Sequence, residues 1–112
     1  MEIRQRLSGN IAIVELAGRL TINDQPGMLK DTVSKALANG AKHVLLDLSG
    51  VHYIDSTRLG EIIAAHVTVT RNGGHLRLVG TPDRITDLLA IAGLDGVFER
   101  FATTEDASRQ LP

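Results

Sequence analysis

Four consecutive residues, Asp55-Ser56-Thr57-Arg58, set a carboxylate, two hydroxyls and a cation side by side. They stand where an apolar approach, Tyr53-Ile54, gives way to a helical pattern that resumes at Leu59. Two kinds of chemistry suit such a cluster. A serine at a helix start can accept a hydrogen bond from a backbone N–H two or three residues on, worth about 1 kcal/mol over Ala. The same hydroxyl can take a phosphoryl group, because a charge of about −1.5 to −2 is tolerated by the unpaired amides and the positive end of the helix dipole. Ser56 is therefore expected to cap the helix when unmodified. A phosphate there should leave the fold intact and act at a partner surface, where charge beside Asp55 must be desolvated or matched.

Other chemistries find less support in the residues. A Ser-His hydrolase needs an acid, a base and an oxyanion hole in register, and the chain has no Gly-x-Ser-x-Gly elbow. His52 lies four residues before Ser56, but an extended backbone over 51–54 would turn its ring away from that hydroxyl. The four histidines, at 43, 52, 66 and 75, form no His-x-x-x-His pair, so no metal ligand set is read from them. His66 falls at the boundary of an apolar helix face. The 11 glycines include Gly73-Gly74 but no Gly-x-x-x-x-Gly-Lys phosphate loop. The expectation is a binding protein without a cofactor or metal, not an enzyme.

The elements that would position the cluster alternate between strand and helix periods. Segments 3–7 and 11–16 alternate about the turn-forming Ser8-Gly9-Asn10, which predicts an opening hairpin. A helix is expected to start near Asp24-Gln25-Pro26, with Asp24 as its cap, and to run through Met28, Leu29, Val33, Ala36 and Leu37 to Asn39-Gly40. Val44-Leu45-Leu46-Asp47-Leu48 is nearly continuous in apolar residues, as befits a central strand covered on both faces. Leu59, Ile62, Ile63 and Val67 then share a helical face that ends before Asn72-Gly73-Gly74. A strand over 75–79 follows, and Thr81-Pro82-Asp83 reads as cap, first-turn proline and first-turn acid of a helix that stops at Gly93. A short strand over 97–101 leads through Thr103-Thr104-Glu105-Asp106 into a terminal helix. The alternation predicts a single α/β domain over residues 1–112, a mixed sheet with an N-terminal hairpin and about four helices. In such sheets ligands and partners meet the loops at the carboxyl ends of strands, and the Asp55-Ser56-Thr57 turn is one of these.

Composition narrows the partners. The 112 residues are 43% hydrophobic and 22% charged, with a net charge of −1, no basic block and three aromatic residues. Nucleic-acid binding usually calls for clustered cations or stacking platforms, so direct contact with nucleic acid is not expected. No segment approaches the ~20 apolar residues needed to cross a bilayer, and the first residues lack a signal-peptide core. The absence of cysteine suits a reducing compartment. A cytoplasmic protein is expected, a monomer or weak homodimer.

Gly18-Arg19-Leu20, the run from Val44 to Val51 that ends Asp47-Leu48-Ser49-Gly50-Val51, Tyr53-Ile54-Asp55-Ser56-Thr57, and Asn72-Gly73-Gly74 followed by His75 to Gly80 occur in that order. Together they resemble a STAS domain of the anti-sigma-factor antagonist family over nearly the whole chain. The resemblance implies a partner switch. In this family the serine directly after the aspartate is phosphorylated by a kinase that is also the anti-sigma factor. The unphosphorylated form binds that kinase and frees a sigma factor, and a phosphatase can reset the cycle. Carried over, the phosphoacceptor is Ser56, and the partner surface comprises Thr21, Asp24, Asp55, Ser56 itself, Thr57 and Arg58. Two positions depart from the family pattern: Arg58 replaces a small residue, often Gly, and Thr21 replaces an acid. Arg58 is thus expected as a long cation on the kinase-facing surface, reading an acidic patch or holding the phosphate. The other reading is a constitutively binding STAS subunit of a larger signalling scaffold or membrane-transport complex.

Overall fold

The computed structural model describes residues 1–21 and 27–112. Strand β1 (Glu2–Ser8) and strand β2 (Ile11–Leu20) form the opening hairpin, turning at Gly9-Asn10, and pair antiparallel from Glu2↔Ala17 to Ser8↔Ile11. Helix α1 (Met28–Ala38) leads to strand β3 (His43–Ile54), helix α2 (Ser56–Arg71), strand β4 (Leu76–Val79), helix α3 (Asp83–Ile91), strand β5 (Arg100–Phe101) and helix α4 (Thr104–Arg109). The five strands lie in chain order, β1 antiparallel to β2 and the other neighbours parallel, so the sheet is mixed as expected. Among the described residues, no helix is long and apolar enough to cross a membrane.

The period of two along the strands sorts the core into two layers. Val44, Leu46 and Leu48 of β3 join Ala12, Val14 and Leu16 of β2 beneath Leu29 and Val33 of α1, Leu59, Ile62 and Val69 of α2, and Ile85 and Leu89 of α3. Leu45, between them, points the other way and packs with Ile13, Val79 and Ala107 of α4. This explains why the first half of β3 is nearly continuous in apolar residues: both of its faces are covered. Val67-Thr68-Val69-Thr70, β-branched throughout, is nevertheless helical; Val69, and not Val67 as expected, completes the buried stripe of α2 begun at Leu59, and Val67 is left exposed.

Further details differ from expectation. The helix start at Asp24-Gln25-Pro26 falls in 22–26, outside the described residues; the residue flanking α1 is Gly27, at φ 78°, a left-handed conformation that glycine adopts without strain. Thr81 does not cap α3, whose N-cap position is held by Pro82 with no side-chain bond. Strand β3 is longer than 44–48, running on to the Asp55 turn. Strand β5 is shorter than 97–101. The chain there is still turning, with the Val97 N–H bonded to the Leu94 carbonyl at 3.0 Å, and pairing starts only where Leu78 N–H meets the Glu99 carbonyl at 2.9 Å. Phe98 serves as a core plug instead, buried and edge-on to His66 with ring centres 5.2 Å apart.

Candidate functional site

The Asp55 turn is anchored at the carboxyl ends of two parallel strands. Leu20 and Ile54 are register partners, and the Asp55 N–H bonds to the Leu20 carbonyl at 2.9 Å. Asp55 keeps an extended backbone (φ −91°, ψ 172°), and its Oδ1 accepts the Arg58 N–H at 2.8 Å. The helix cap is therefore Asp55, and not Ser56 as expected. A carboxylate suits this position doubly, satisfying an orphan amide and facing the positive end of the helix dipole.

Because Asp55 holds the capping position, Ser56 becomes the first residue of α2. Its side chain is exposed and makes no hydrogen bond among the described residues. Thr57 is also exposed, but a step along a helix turns a side chain by about 100°, and the two hydroxyls face different surroundings. Ser56, and not Thr57, lines a groove of about 740 Å³ between the start of α2 and α3. Ile54, Leu59, Ile85, Leu88 and Ile91 make its walls chiefly apolar, while Asp55, Arg84 and Asp87 add charge. Ile91 is 84% exposed and Tyr53 is 40% exposed, both large apolar side chains left open to water at this groove. Tyr53 is backed by Arg19, whose guanidinium carbon stands 4.6 Å from the ring centre. The contribution of α3 was not anticipated from the sequence. The only signal for it was Ile91, apolar in the last turn of a short helix.

Arg58 overturns its expectation as a partner-facing cation. It is 1% exposed. Its Nε donates to the Thr21 carbonyl at 2.9 Å, and its Nη1 donates to Glu61 Oε2 at 2.6 Å. The other oxygen of Glu61 accepts the Gly27 N–H at 3.3 Å. Thr21 is half-buried and enters the site through its backbone, while Asp24 lies outside the described residues. Glu61 was missed in the sequence, where its spacing of three from Arg58 on one helix was the available clue.

No hydrogen bond joins His52 to Ser56 among the described residues, and those residues contain no group of three or more His, Asp or Glu able to hold a metal ion. A shifted titration lies at the opposite end of β3. Burial lowers the pKa of His43 below its ordinary 6.5, and the neighbouring His75, Lys42 and Arg77 push the same way.

The sequence profile of the STAS domain family matches residues 2–107. The anti-sigma-B factor antagonist of Staphylococcus aureus (strain NCTC 8325 / PS 47) is 30% identical over 81 residues, 72% of this chain and 74% of the relative. The crystal structure of a candidate anti-sigma factor antagonist from Thermotoga maritima superposes with a TM-score of 0.88 at 23% identity, covering 97% of this chain and 93% of that one. The phosphorylated form of the Bacillus cell fate determinant SpoIIAA has a TM-score of 0.77 at 15% identity, covering 97% and 98%. The chain belongs to the STAS domain family, as a member of its anti-sigma factor antagonist group.

Proposed function

We propose that the chain is a phosphorylation-gated antagonist of an anti-sigma factor that is also a serine kinase. The unphosphorylated form binds that kinase in the cytoplasm through Asp55, Ser56, Thr57 and the adjoining groove, and so frees a sigma factor. Phosphorylation of Ser56 ends the binding. The observation that carries this reading is an exposed serine hydroxyl in the first turn of a helix, unbonded among the described residues, at the rim of an apolar groove. The kinship with proteins named anti-sigma-B factor antagonist, and with a fold solved in a phosphorylated form, supports it.

The physics gives the switch its direction. A phosphate at the start of α2 is favoured by the helix dipole, so the folded state tolerates it. At a surface that must lose water, however, it adds about two charges beside Asp55, and like charges that are desolvated together cost several kcal/mol. Binding is weakened while the domain stays folded.

The test is incubation with the purified cognate kinase and ATP, followed by phosphopeptide mapping and binding measurements. One phosphate on Ser56 is expected, abolished in Ser56→Ala and retained in Thr57→Ala. Ser56→Ala should bind the kinase like wild type, and Ser56→Asp should bind roughly tenfold or more weakly, through charge at the interface. Phosphate on Thr57 or Thr21 with Ser56 untouched would overturn the assignment. Tight binding by Ser56→Asp would favour a constitutive scaffold subunit instead.

A further inference from the structure

Among the described residues, Arg58 heads the large, fully buried side chains. Helix geometry does not account for it, since the first turn of a helix favours anions over cations. What accounts for it is the set of partners it reaches. Thr21 immediately follows β2, and Gly27 immediately precedes α1. Arg58 bonds the first directly, and through Glu61 it reaches the second. Both contacts span long stretches of chain, 37 residues for Arg58 to Thr21 and 34 for Gly27 to Glu61. The planar fork of an arginine can donate in two directions at once, from Nε to a carbonyl and from Nη1 to a carboxylate, as a lysine ammonium on a flexible stem cannot do with equal precision.

We infer that the Arg58–Glu61 pair is a positioning latch for the acceptor site. It holds the end of β2 and the start of α1 against the first turn of α2, so that Ser56 and its groove meet the partner in one arrangement. The part of this that concerns the partner rests on the reading of Ser56 given above. A latch differs from a steering charge in a measurable way. Mobile ions screen exposed charges, but a guanidinium shielded by protein is screened much less, so the consequences of removing it should not depend on salt.

The experiment compares wild type with Arg58→Met and Arg58→Lys by residue-resolved hydrogen exchange and by the rate of Ser56 phosphorylation, using purified cognate kinase and ATP at low and high salt. Methionine keeps an apolar stem and removes both bonds. Replacing a buried ion pair member by an apolar residue of similar size need not unfold a protein when the freed partner can reach water, and Glu61 is 22% exposed. The Gly27 amide of Arg58→Met should exchange roughly tenfold faster, the scale of one lost charge-assisted hydrogen bond. Amides in the centre of β3, such as Leu46, should keep wild-type rates. Phosphorylation should slow by the same factor at both salt concentrations, and Arg58→Lys, able to hold one acceptor at a time, should fall between. Should Arg58→Met fail to fold, Glu61→Gln carries the comparison, again with faster exchange at Gly27. Wild-type exchange at Gly27 in all variants would overturn the latch, as would a phosphorylation defect that vanishes at high salt. A wild type that accepts no phosphate would bring down the reading of Ser56, while the exchange rates would still decide the latch.

Discussion

The two ends of β3 solve the same problem in opposite ways. At its amino end, His43 is buried and held neutral: its Nδ1 accepts the His75 N–H at 3.1 Å, and the two rings lie 5.3 Å apart. Packing there is so close that a Cβ on Gly74 would fall 1.7 Å from the Lys42 carbonyl oxygen. At its carboxyl end the structure buries a full charge, Arg58, and compensates it with Glu61 and a carbonyl. Discharging a group and pairing it are the two ways to place an ionisable side chain inside a protein. The end that discharges is closed and serves the fold. The end that pairs adjoins a turn where Ser56 is exposed and lines an open groove.

Breaking the closed end should have the largest effect. In Gly74→Ala the new methyl meets backbone atoms of Lys42, which cannot rotate away as a side chain could. A loss of about 3 kcal/mol or more is expected, at the upper end of overpacking costs, read from the denaturant midpoint. A loss below about 0.5 kcal/mol, the scale of surface substitutions, would show that the amino end can relax and that the contrast is overstated.

Breaking the paired end should cost less and depend on which partner is removed. Glu61→Ala strands a buried guanidinium, and about 2–3 kcal/mol is expected, discounted from a fully buried pair because Glu61 is 22% exposed. Arg58→Met strands a carboxylate that can reach water and the carbonyl of half-buried Thr21, and a loss of about 1–2 kcal/mol, smaller than in Glu61→Ala, is expected. Equal losses in the two variants would contradict pairing as the organising feature of this end.

The smallest effect sharpens the comparison through pH. The folded chain holds His43 below its ordinary 6.5, so at mildly acidic pH the unfolded chain binds more protons. The stability that this histidine contributes is whole above about 6.5 and is lost as pH falls through its lowered folded value. His43→Asn keeps an acceptor near Nδ1 but cannot titrate, so the difference in stability between wild type and variant should shift against wild type on acidification. A difference that stays flat from neutral pH to pH ~5, across the range in which an ordinary histidine titrates, would mean that the amino end tolerates charge after all.

Much of this was legible in local pattern. The opening hairpin, the covered run of β3 and the first turns of the α2 stripe, Leu59 and Ile62, each follow from spacing within a few residues, because the periods of two and 3.6 are properties of the element itself, whereas the last turn buries Val69 in place of the expected Val67. The Asp-Ser pair at a helix start was legible for the same reason. Which of the two caps was not. Asp55 and Ser56 are both good N-cap types, and the choice depended on where β3 ended, which the pairing of Leu20 with Ile54 and the bond from Asp55 to Leu20 determine.

The sequence by itself determined the alternation of elements, the family to which the chain belongs and the presence of a hydroxyl cluster between a strand and a helix. Only the tertiary structure decided that Ser56 is free of capping and borders a groove built with α3, and that Arg58 faces inward. The physical reason is range. Periodicity, capping preference and turn chemistry act over one or two turns of chain, whereas the energy of a buried charge depends on what encloses it. For Arg58 that includes a carbonyl 37 residues away, brought near by the parallel pairing of β2 with β3.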